Sequence, residues 1–127
     1  MNTSTSPAAV SESSSRDNPC YGTDPTAATL NVLTDDERSY QLPYAQFLYA
    51  EITPNPALET DPAAPPQKLL ICFAAAKVTV LGRGLTSLEK GLQRYELKFV
   101  KSAAPRYARL FNTHVAAITV SLTKETQ

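Results

Sequence analysis

Two short apolar segments in the middle of the chain, Leu69-Leu70-Ile71-Cys72-Phe73 and Lys77-Val78-Thr79-Val80-Leu81, most narrow the folds open to it. Each has the length of a strand. In the second, Val78 and Val80 fall on one face and Lys77 and Thr79 on the other, the two-residue period of a half-buried strand. Three alanines separate the segments, which predicts a hairpin, with one bulged strand as the alternative. Gly82-Arg83-Gly84 then breaks the pattern.

A helix start follows. Thr86-Ser87-Leu88-Glu89 has capping-box spacing, with Thr86 placed to accept from the Glu89 amide while Glu89 reaches back. The helix is expected from Ser87 to about Arg94. Leu85, Leu88, Leu92, Tyr95 and Phe99 would carry one long helix to Lys101, whereas Tyr95, Leu97 and Phe99 alternate with Glu96 and Lys98 as a strand does. Gly91 weakens the long version by roughly 1 kcal/mol relative to Ala, so a short helix and then a strand is the expectation.

Elsewhere the pattern is also β. Leu30–Leu33, the polar turn Thr34-Asp35-Asp36-Glu37 and the return Arg38–Leu42 read as a hairpin. Tyr44–Ile52 fits either period; its aromatics and Ile52-Thr53 favour a strand. Residues 54–66 hold five prolines and are expected to be a loop. Ser102–Pro105 is a turn, and Val115–Leu122 alternates as a final strand. Eight of the first fifteen residues are Ser or Thr, so residues 1–26 are expected to form a disordered tail. The fold class is therefore α+β: a small, mostly antiparallel sheet of five to six strands, with a half-open barrel as its variant, and one short helix. A single domain over residues 27–123 follows.

The tail's weakly charged Ser/Thr composition resembles the leaders of bacterial type III secretion effectors, although an ordinary solvated tail has the same composition. The run from Leu69 to Leu92 has the look of a small bacterial β-rich domain. No stretch approaches the ~20 apolar residues of a membrane span. The first residues carry neither the basic nor the apolar region of a secretory signal, so a cytoplasmic protein is expected. Cys20 and Cys72 fit that reducing setting as one stray exposed thiol and one buried one, without a disulfide.

Charge supplies the main functional hint. The chain is neutral overall, yet residues 1–63 hold two basic and nine acidic side chains and residues 64–127 hold ten basic and three acidic ones. The candidate polyanion-binding set is Arg83, Lys90, Arg94, Lys98, Lys101, Arg106 and Arg109. On a continuous helix, Lys90, Arg94, Lys98 and Lys101 would form one stripe. Tyr107 and Phe111, interleaved with the arginines, are candidates to stack on single-stranded bases. Against this stand a pI near 6.6 and the absence of any RNA-recognition, KH or zinc-finger signature.

Other chemistry finds little support. Gly82-Arg83-Gly84 lacks the third glycine and the parallel βαβ context of a dinucleotide fingerprint. His114 has no partner set for a metal site, no serine lies in a GxSxG elbow, and Asp35-Asp36-Glu37 reads as a solvated hairpin tip. No catalytic residue, metal or cofactor is assigned. The expected function is a non-enzymatic protein-interaction or regulatory module, acting on a partner protein or by self-association. Nucleic-acid binding through the basic half is the alternative, and a small enzyme with an unrecognised site comes third.

Overall fold

The computed structural model describes residues 18–122. Its strands are β1 (Tyr21–Thr23), β2 (Thr29–Leu33), β3 (Ser39–Pro43), β4 (Phe47–Pro54), β5 (Gln67–Phe73), β6 (Ala76–Arg83), β7 (Leu97–Lys101) and β8 (His114–Leu122). The helix α1 spans Thr86–Gln93, and 3-10 turns occupy Tyr44–Gln46, Pro56–Glu59 and Pro105–Arg109. Two four-stranded sheets result, ordered β1-β7-β2-β3 and β8-β6-β5-β4. All neighbours are antiparallel except β2 and β7, which run parallel. No strand is shared between the sheets, so the barrel does not close.

The α+β class and the β-rich pattern hold, with eight strands in place of five or six. The β2–β3 and β5–β6 hairpins fall where the alternating pattern placed them. One extra strand corrects the tail boundary. β1 lies inside residues 1–26, and Cys20, expected to be exposed, is buried in the core. Residues 1–17, and with them the rest of the disordered-tail and leader expectations, lie outside the described residues.

The core forms between the sheets. From one come Ile71, Leu69, Val78, Val80 and Ile118, and from the other Leu30, Val32, Leu97 and Val100, all essentially without solvent contact. Burying each such side chain contributes about 1.5–3 kcal/mol. Helix α1 packs against β4 and β7, one strand of each sheet, and drives Leu88 and Leu92 into the same cluster.

The helix begins differently from its capping-box reading. Leu85 is the N-cap, with φ −75° and ψ −3°, and no side chain caps the turn. Thr86 is already the first helical residue, because the buried Leu85 carbonyl takes the amides of Leu88 and Glu89 at 3.0 and 3.1 Å. The Leu85 amide is held instead by Gln67 Oε1 at 2.9 Å.

The helix stops at Tyr95, whose φ is +59°. The Tyr95 amide donates to the Leu92 carbonyl at 3.1 Å and the Glu96 amide to the Gly91 carbonyl at 2.8 Å, the two bonds of a Schellman ending. Gly91 earlier counted against a long helix. It has a packing reason as well, since a Cβ there would stand 3.2 Å from the Cβ of Leu97. Any larger residue there would push Leu97 on β7 away by a few tenths of an ångström.

Candidate functional site

The sheet edges differ in how they are finished. Asn55 at the end of β4 donates its amide to the Pro66 carbonyl at 3.0 Å. Residues of an antiparallel ladder alternate between bonded and non-bonded pairs. Counting back from Asn55, Thr53 and Glu51 bond to β5, whereas Ile52 and Ala50 aim their N–H and C=O groups at the free edge. Carried across the ladder by the register of β5, β6 and β8, the same count turns Ile118 and Val120 outward on β8. The Ile118 amide is indeed found outside the sheet, on Asp35 Oδ2 at 3.3 Å.

The β8 edge is covered over its first half, from Val115 to Ile118. The Val115 amide donates to Cys20 Sγ at 3.2 Å, and the Val115 carbonyl accepts from Ala103 at 3.0 Å. Cys20 is tied to the other sheet through its carbonyl, which accepts from the Lys101 amide at 2.8 Å. Asp35 Oδ1 meanwhile accepts from Ser102 Oγ at 2.6 Å, so the β2–β3 tip is latched over β8. The expected solvated tip thus has one working carboxylate.

Nothing comparable covers β4 among the described residues. A bulge leaves Leu48 as the extra residue opposite β5. Leu48 is 63 % exposed and Tyr49 52 % exposed. Behind this edge lies an aromatic cluster. Tyr44 stacks on Tyr95, with centroids 5.2 Å apart, and Phe47 meets Tyr95 edge-on at 6.0 Å and Phe73 at 5.5 Å. The Tyr44 hydroxyl donates to the Leu97 carbonyl at 2.6 Å, and burial pushes its pKa up. The cluster therefore fixes the root of β4 while leaving its outer side open.

The candidate basic residues fall in three groups. Lys90 lies within α1 and Arg94 at its C-cap, Lys98 and Lys101 lie on β7, and Arg83, Arg106 and Arg109 lie at the end of β6 and in the last 3-10 turn. The positive φ at Tyr95 separates Arg94 from Lys98, so the single helical stripe does not form. Among the described residues the ion pair is Arg38–Asp36 at 3.3 Å, on the surface.

Of the stacking candidates, Tyr107 is engaged by its neighbour Arg106, whose guanidinium carbon lies 4.8 Å from the ring centre. Phe111 lines an open cleft of about 620 Å³ with Tyr21, Phe99 and Asn112. The bulge at Lys98 puts Phe99 and Lys101 on the outer face of β7. Phe99 rests against Gly22, where an added Cβ would stand 2.5 Å from the ring. Phe99 went unnoticed in the sequence because its alternation with Lys98 read only as strand periodicity.

His114 is buried, and its Nε2 donates between the carbonyls of Ala103 and Ala104 at 3.1 and 3.2 Å. That holds the chain before β8 in place. Both cysteines are free and buried. Among the described residues no three His, Cys, Asp or Glu gather closely enough to hold a metal ion, and no helix is long and apolar enough to cross a membrane.

No family model matches this chain, and no curated protein or solved structure matches it either.

Proposed function

We propose that this protein is a non-enzymatic polypeptide-binding module, which takes up an extended segment of a partner as an added strand against β4. The observation that carries this is the eight-residue β4 edge. Ala50 and Ile52 direct backbone donors and acceptors outward there, beside exposed Leu48 and Tyr49. Strand edges of folded proteins are usually covered, shortened or charged, and strand addition is a recurring way to bind peptides. Backbone pairing supplies affinity in this mode, and the flanking side chains supply selection.

The test follows the amides of Ala50 and Ile52 by hydrogen exchange. In the free protein both exchange quickly, and addition of a blocked Val/Thr-rich peptide of eight residues slows both. A folded protein whose Ala50 and Ile52 amides are untouched by excess peptide would refute the reading.

Single-stranded nucleic acid is the second reading, favoured by the cleft that places Phe99 and Phe111 together with Lys101 nearby on β7. At ~150 mM salt no strong retention of DNA or RNA is expected. Tight, salt-sensitive retention lost in Phe99→Ala, or in Lys90→Glu with Arg94→Glu, would reverse the order of the two.

A further inference from the structure

We infer that the strand accepted by β4 belongs to a different polypeptide and presents a lysine or arginine opposite Glu51, with an aromatic or β-branched residue two positions away opposite Tyr49. The inference rests on the strand-addition reading and names the partner's chemistry.

Full use of the edge requires pairing at both Ala50 and Ile52, the residues whose backbone groups point outward. The partner residue between those two bonded pairs then lies opposite Glu51. It occupies a non-hydrogen-bonded pair, where Cα atoms approach to about 4.5 Å and side chains meet most closely. Glu51 is exposed. Its ladder row across the sheet is Leu70, Thr79 and Thr119, which contains no cation. No basic group lies within ion-pair distance of it among the described residues. From the other side of the strand, Glu89 of α1 lines a small hollow of about 120 Å³ with Ala50 and Tyr49. That second carboxylate lies on the opposite face of the strand, so the residue placed opposite Glu51 answers to Glu51 alone, and a basic side chain is its complement.

The same geometry argues against a second copy of this chain. A two-fold pair of β4 strands that bonds Ala50 to Ile52 in both directions sets Glu51 against its own copy, and like charges directly opposite destabilise a sheet. Shifting the centre to Ala50 relieves that clash but brings the Leu48 bulge opposite Ile52, where the ladder is already disturbed. Glu51 thus disfavours the self-pair that uses both Ala50 and Ile52 symmetrically, and favours a basic partner strand. Tyr49 and Leu48 add the apolar surface on which a residue two positions from that base would rest.

Two blocked peptides test this, acetyl-Ser-Thr-Val-Lys-Val-Tyr-Thr-Ser-amide and the same peptide with Glu in place of Lys. The full chain is expected to bind the Lys peptide about five- to tenfold more tightly. Glu51→Gln should bring the two affinities together and Glu51→Lys should invert the preference, each with an unchanged urea midpoint. Equal binding of both peptides by the native protein would overturn the charge selection and leave strand addition standing. Ala50 and Ile52 amides already protected without peptide would overturn it too. In that case light scattering distinguishes a second copy, seen as a dimer, from the chain's own residues, seen as a monomer. Failure of both peptides to bind would remove both inferences together.

Discussion

The two outer strands of one sheet, β8 and β4, meet solvent in opposite ways. On β8 the outward amides of Val115 and Ile118 are met by residues remote in sequence: Cys20 takes the first and Asp35 the second, at sequence separations of 95 and 83. On β4 the same ladder geometry leaves Ala50 and Ile52 without such a partner among the described residues, beside exposed Leu48, Tyr49 and Glu51. A chain that finishes one edge with a thiol and a carboxylate had the means to finish the other. Of these two edges, β4 is therefore the one on which the proposed strand addition rests.

The largest effect tests whether the free edge is also the firmly rooted one. Tyr44→Ala removes the ring that joins Phe47, Phe73 and Tyr95 and should cost about 3–5 kcal/mol of stability in urea unfolding. A much smaller loss would mean that β4 is loosely held and its exposure a sign of fraying. Tyr44→Phe keeps the ring but strands the Leu97 carbonyl, at a cost of about 1–3 kcal/mol.

The same hydroxyl gives a pH signature. Burial raises the folded-state pKa of Tyr44, whereas in the unfolded chain a tyrosine ionises near pH ~10. Deprotonation therefore favours the unfolded chain. The contribution is intact below pH ~10 and is lost progressively as pH climbs toward the raised folded value. Wild type minus Tyr44→Phe, compared by urea unfolding at pH 8 and above ~10, should show the gap narrowing on the alkaline side. A gap that holds or widens would contradict it.

Next in size is a change that makes β8 resemble β4. Asp35→Ala frees Ser102 and leaves the Ile118 amide without its acceptor, at a cost of roughly 1–2 kcal/mol. It also opens a second edge, so faster exchange at Ile118 and concentration-dependent association by light scattering are expected. If the variant exchanges Ile118 no faster than wild type, the carboxylate is not what closes β8.

How far these edges could be read in advance depended on how local their causes are. Alternation over a few residues announced β5, β6 and the β2–β3 hairpin, because each pairs with its neighbour in the chain. β1 and the parallel pairing of Asn31 with Phe99 depend on long loop closures that no local period records. Cys20 looked exposed because its neighbours are polar; its burial comes from bridging Lys101 and Val115 across two sheets. The strand expected at Tyr44–Ile52 was legible only from Phe47 onward, because Tyr44–Gln46 form a 3-10 turn, and whether a strand lies at an edge is a property of the assembled order. Glu51 accordingly carried no signal until its row was known.

The smallest effect separates two contributions of one residue on the flank of β4. Tyr95 ends α1 with φ +59°, a conformation that costs a non-glycine residue roughly 1 kcal/mol. It also stacks on Tyr44 at 5.2 Å, a contact that returns about 0.5–1.5 kcal/mol. Tyr95→Gly loses the ring and the strain together, so its urea midpoint should stay close to wild type. Tyr95→Ala loses the ring and keeps the strain, and should be less stable than the glycine variant by about 1 kcal/mol. If the two variants unfold together, the backbone at Tyr95 relaxes without its ring and the Schellman ending is set by the stack. If they separate as expected, Tyr95→Gly gives a stable protein whose β4 edge has lost its aromatic flank. Peptide uptake by that variant then measures how much of the binding comes from side chains and how much from the open backbone of Ala50 and Ile52.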